Sequence, residues 1–147
     1  MSRKHYKNQP TVLETAVLGI FKGIWWLIKL PFGGLKKKAS FSPAHKQEIN
    51  KKRLEIEKIA SSDNIIELKH AVIEADKLVD KILKLKGYGG QTFADRLRSA
   101  EECVDQKTYQ DLWDGHKVRN QIAHSEDSFN QHDLKVAIKK LLNYSKK

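Results

Sequence analysis

Near the C-terminal end of the sequence, two side chains have the types and the spacing to do chemistry together. In the stretch WDGHKVRNQIAH, residues 113–124, a permanent cation at Arg119 stands five positions before the imidazole of His124. A guanidinium offers planar donors to oxyanions, and an imidazole exchanges a proton near neutral pH. Asn120 follows the arginine directly, and His116 precedes it by three positions as a possible accessory polar group. On a helical wheel with Tyr109 at 0°, His116 falls at roughly 340°, Asn120 at roughly 20° and His124 at roughly 60°. Arg119 falls at roughly 280°, about 140° from His124 if the helix is unbroken. One copy of such a helix does not aim both side chains at a single atom. Two copies facing each other across a two-fold axis could complete a joint site, each supplying an Arg and a His. The plainer reading is the polar end of a packed helix. Asn120, His116 and His124 would then be packed on the side that carries Trp113, with Arg119 paired to Glu126, Asp127 or another acidic group.

The elements that must position these residues are helical throughout. No segment after Ser40 keeps a period of two for long, and β-branched clusters are lacking. Ser42-Pro43 reads as an N-cap and first helical position, opening a charged helix to about Ala60. Asn64 and Glu67 have capping-box spacing and open a long amphipathic helix. Its apolar face is Ile65, Leu68, Val72, Ala75, Val79, Ile82 and Leu83. The glycines of the 87–90 loop stop it. Thr92 and Asp95 cap a further helix through Phe93, Leu97 and Ala100, and the chain restarts between Asp105 and Thr108. A polar break at 125–128 precedes a last helix near Asp133–Tyr144, with Leu134, Ala137, Ile138 and Leu141 on its apolar side. The expected fold is therefore all-α, a bundle of four to five helices preceded by one hydrophobic N-terminal helix.

Arg119-Asn120 followed by His124, late in a short helical bundle with one more helix after it, resembles the HEPN superfamily (higher eukaryotes and prokaryotes nucleotide-binding). The longer pattern LWDGHKVRNQIAH and the glycine-stopped long helix are similar to bacterial HEPN-like domains, over about Phe41–Tyr144. The resemblance implies a homodimer of helical bundles and, as in many members, metal-independent RNA cleavage. In that chemistry His124 would take the proton of a ribose 2′-hydroxyl. Arg119 would stabilise the charge developing on the phosphate, and Asn120 would orient the histidine or the phosphate. The products would be a 2′,3′-cyclic phosphate and a 5′-hydroxyl. No metal or other cofactor is expected. The superfamily also contains interaction and nucleotide-binding modules, so a non-catalytic dimerisation or recruiting role, with an unknown partner protein, is the second expectation.

Charge separates this body from what precedes it. Of the net charge of +10, residues 1–60 carry 13 Lys/Arg against 4 Asp/Glu, whereas residues 61–147 carry 15 against 14. A groove that binds RNA by neutralising phosphates should show a local basic excess, and the nearly neutral body shows little. The N-terminal excess suits an anionic membrane surface instead. Residues 1–11 read as a basic tail and residues 12–32 as a membrane-spanning or interfacial helix. The nineteen residues from Val12 to Leu30 would reach about 28 Å as a helix, close to the hydrocarbon thickness of a bilayer. Glu14, Lys22 and Lys29 share a narrow polar sector, and the lysines can snorkel. Trp25 and Trp26 suit the interface. A Gly/Lys-rich linker, 33–42, follows with Lys36, Lys37 and Lys38 placed for anionic headgroups. The heavier basic flank on the C-terminal side places the HEPN-like body, 43–147, on the cytoplasmic face of the inner membrane.

The single cysteine, Cys103, excludes an intramolecular disulfide and is expected to face the core. His45, His70 and His132 lack partners at metal-ligand spacing and read as surface or helix-end residues. Lys84 and Lys86, beside Tyr88, fit a solvated face as well as an RNA contact.

Overall fold

The structure is a computed structural model, and it describes residues 41–124 and 129–146. The tail 1–11, the 12–32 segment with Lys22, Trp25, Trp26 and Lys29, the basic run Lys36, Lys37 and Lys38, and the break at 125–128 lie outside the described residues. Five helices make up the body, and among the described residues no strand occurs. They are α1 (Pro43–Ala60), α2 (Ile65–Leu85), α3 (Phe93–Ser99), α4 (Gln106–His124) and α5 (Gln131–Tyr144), with a 3-10 turn at Glu101–Cys103 between α3 and α4. No described helix is long and apolar enough to cross a membrane.

Local chemistry sets the helix ends. Ser42 caps α1 by accepting from the His45 amide, with Pro43 at the first position. The Asn64 side chain accepts from the amides of Ile66 and Glu67 to open α2. Thr92 and Asp95 form a reciprocal capping box at α3. Asn130 caps α5, which therefore begins at Gln131, two residues ahead of the start read from its apolar period. Between α2 and α3, Gly90 takes φ +136°, and a Cβ there would meet the Asp95 Cβ at 2.4 Å. Only glycine lets the loop approach the start of α3 so closely.

α2 is the central helix and touches each of the other four. Its stripe Leu68, Val72, Ala75, Val79, Ile82 and Leu83 is buried almost completely, and Ile65 packs at its edge. α5 contributes Leu134, Ala137, Ile138 and Leu141, and α1 contributes Ile49 and Ile56. α4 adds little to this core beyond Leu112 and Gly115. It holds its place by proximity: a Cβ on Gly115 would lie 2.5 Å from the Leu141 Cγ. Lys140 of α5 then reaches Asp114 at 2.7 Å and Asp111 at 3.5 Å on α4.

Cys103 departs from expectation. It is exposed rather than core-facing: it ends the 3-10 turn Glu101–Cys103, in which no residue is buried.

Candidate functional site

The polar residues of α4 converge on one carboxylate that belongs to another helix. Asp76 of α2 is only 5% exposed, yet it stands on the apolar stripe between Val72 and Val79. Its Oδ1 lies 2.8 Å from the His116 Nδ1. A carboxylate accepts and does not donate, so the nitrogen facing Asp76, Nδ1, is the one that carries a proton in this contact. The other oxygen, Oδ2, lies 3.8 Å from the Arg119 Nε. His116 and Arg119 are one helical turn apart, which lets both address the same acid.

Each of the two is held on a second side. The His116 ring stacks on Phe93 of α3 with centroids 4.2 Å apart and planes within 6°. Trp113 meets it edge-on at 6.2 Å, and Tyr109 meets Trp113 in the same way. Arg119 donates from Nη1 to the Asn120 Oδ1 at 3.1 Å. Its side chain remains 37% exposed, against 13% for His116. The guanidinium is thus fixed beside a buried acid while still reaching solvent.

A largely buried ion pair joins α3 to α2 one turn after Phe93. Arg96 of α3, 5% exposed, donates to Asp80 Oδ1 and to the Gly90 carbonyl, each at 2.6 Å. Burial raises the Asp80 carboxyl, but the hydrogen bonds from Arg96 and Lys84 outweigh it and hold the group below the usual carboxylate range. The loop, α2 and α3 are therefore clamped together where Phe93 begins its helix. Lys84 pairs with Asp80 at 2.8 Å, and Lys86 lies over the rings of Phe41 and Tyr144. Both lysines thus have partners within the body.

His124 stands apart. It is exposed, as are Gln121 and Ala123 around it, while Ile122 on another face of α4 still packs against the core. Its imidazole has no hydrogen-bond partner among the described residues, so the packed position suggested by the wheel does not hold. Arg119 and His124 share a helix but not a contact. Five residues at about 1.5 Å each separate them by roughly 7.5 Å along the axis, on faces about 140° apart. Of the acids considered for Arg119, Glu126 and Asp127 lie outside the described residues, and Asp76 is the other acidic group beside it.

No family model, curated protein or solved structure matches this chain. The site is therefore read from its own geometry. Among the described residues no group of three or more His, Cys, Asp or Glu side chains gathers as a metal-ligand set. His45, His70 and His132 are exposed, as expected. Asp76, Phe93 and Arg96 are the residues that reading the motif by itself missed. Asp76 did leave a signal: at helical spacing it falls in line with Val72, Val79 and Leu83, where an unpaired acid would be costly.

Proposed function

We propose that this protein is a membrane-attached, HEPN-like helical module that cleaves RNA without a metal, using Arg119 and His124 at a groove between two copies. The observation that carries the reading is the placement of Arg119, held by Asp76 and Asn120 while more than a third of its side chain stays open. A guanidinium oriented in advance can stabilise a phosphorane-like transition state without reorganising during the reaction. In this scheme the ribose 2′-oxygen attacks the adjacent phosphorus as the exposed imidazole of His124 accepts its proton. The bond from phosphorus to the 5′-oxygen breaks, and a protonated imidazole from the other copy delivers a proton to that oxygen. A 2′,3′-cyclic phosphate and a 5′-hydroxyl result. Because the nucleophile belongs to the substrate, the chemistry needs no metal-bound water.

The two-copy arrangement is favoured by the 140° between the faces of Arg119 and His124, which keeps one chain from focusing both on one phosphate. Asp76 and Asn120 act as positioning residues for Arg119 in this scheme, and His116 completes the polar wall. The basic N-terminal region would hold this body against anionic lipid on the cytoplasmic face.

A second reading is a non-catalytic dimerisation or nucleotide-binding module, and the buried Asp76–His116 pair favours it. That pair spans α2 and α4 in the manner of an internal clasp. One experiment separates the two. The full chain, Arg119→Ala and His124→Ala are incubated with total RNA in EDTA after circular dichroism has shown equal folding. New 2′,3′-cyclic phosphate ends from the unaltered chain alone support cleavage. Their absence from all three favours the binding module.

A further inference from the structure

Arg98 lies over the Trp113 ring with its guanidinium carbon 5.5 Å from the ring centroid. We infer that this Trp113–Arg98 pair is a stacking subsite for one unpaired nucleobase of a single-stranded RNA, which displaces Arg98 from the indole and frees it to meet a neighbouring phosphate. The inference rests on the RNA reading above and assigns it a substrate class.

Trp113 is half-buried, with the Tyr109 and His116 rings each 6.2 Å away and steeply inclined to it. Those ring contacts hold the indole in place, and Arg98 lies over it. Arg98 itself is loosely tied: its side chain is 63% exposed, and its contact with the Asp95 Oδ1 is 3.4 Å long. Asp95 is already committed to the Thr92 cap through its other oxygen. An exposed cation–π contact is among the weaker kinds, so a base can replace it, whereas every nucleobase has a π-face to offer a tryptophan. Trp113 precedes Arg119 by six residues, roughly 9 Å along the helix and about 120° around it, with His116 midway between the two. A strand that runs from Arg119 obliquely across His116 reaches an aromatic ring and a second arginine. This arrangement also answers the neutral body: stacking adds affinity where net charge adds little.

The test uses the full chain carrying Trp25→Phe and Trp26→Phe, so that Trp113 is the only one of the three tryptophans remaining. All comparisons are made within that background. The probes are end-labelled 2′-O-methyl adenosine hexanucleotide, in which the attacking hydroxyl is blocked, and a base-free sugar-phosphate hexamer. Label anisotropy reports binding, and tryptophan emission reports stacking. The expected result is quenching of Trp113 by the adenosine strand only, with binding at least 10-fold tighter than the base-free strand. Arg98→Gln should keep the quenching, weaken both strands and lower the salt slope of binding by about one. Trp113→Phe, which keeps an aromatic face, should retain most of the base preference, and Trp113→Leu should abolish it.

Equal binding of the two strands without quenching overturns the stacking subsite. If cyclic phosphate ends are still produced from total RNA, the cleavage reading survives that result. Failure of both strands to bind, with no cleavage, removes the subsite and the RNA reading together.

Discussion

The Asp76 carboxylate and the His116 imidazole, 40 positions apart in sequence, share a hydrogen bond of 2.8 Å across the α2–α4 interface. The bond satisfies an acid that would otherwise sit unpaired in an apolar stripe. The same acid lies 3.8 Å from Arg119.

Asp76→Ala should therefore act on the fold as well as on the site. It leaves the largely buried His116 without its acceptor, a loss of about 2 kcal/mol. For a body of this size that lowers the melting temperature by roughly 8–15 °C. Asp76→Asn keeps an acceptor for the Nδ1 proton but removes the charge beside Arg119. It should lose less than half as much stability and still reduce RNA cleavage. Thermal melts of both variants, read beside the RNA-end assay, check the split.

Arg119→Lys should fail where charge alone would succeed. A lysine keeps the cation but loses the planar donors that reach Asn120 and a phosphate at once. The expected loss of cleavage is about 100-fold, with the melting temperature changed by less than 2–3 °C because the side chain is partly exposed. A lysine variant with full activity would show that the guanidinium geometry is immaterial.

Gly115→Ala should loosen α4 from α5. The added carbon would meet the Leu141 Cγ at 2.5 Å and Cδ2 at 2.7 Å, and Leu141 is fully buried. Overpacking of this kind costs about 1–3 kcal/mol. Leu141→Ala in the same chain should recover part of that loss, because the two changes share one space. Urea denaturation of the two single variants and the double variant measures the coupling.

Strong acid should weaken the α1–α2 contact. Hydrogen bonds from Lys52 and Lys77 lower the Glu74 carboxyl from its ordinary 4.5 to about 2. A depressed carboxyl stabilises the fold fully above its unfolded value, and that contribution fades as pH falls from about 5 through about 2. The lysines are well exposed, at 42% and 64%, so screening reduces the contribution to about 1 kcal/mol. Glu74→Gln should show a correspondingly flatter loss of stability between pH 5 and pH 2 in denaturant titrations.

Replacing Lys36, Lys37 and Lys38 with glutamine tests the membrane proposal. At about 1 kcal/mol for each basic residue near an anionic surface, the triple change should weaken binding to phosphatidylserine vesicles by roughly 100-fold. Binding to neutral phosphatidylcholine vesicles should be unchanged. Vesicle sedimentation over a salt series gives both numbers.

Most of the bundle was legible from local chemistry. Ser42, Asn64 and Thr92 each cap a helix through amides no more than three residues away, so the starts of α1, α2 and α3 lie in the sequence itself. The apolar stripes of α2 and α5 have the helical period, and the residues read from it are buried except Ile65, which packs at the edge. Only the tertiary structure decided which acid meets Arg119 and His116, because Asp76 comes from a separate helix whose register depends on core packing. It likewise decided that His124 and Cys103 are exposed. A helical wheel gives the direction of a side chain about its own axis. Whether anything lies in that direction depends on where neighbouring helices end, and that is set by contacts such as Gly115 against Leu141 across distant parts of the chain.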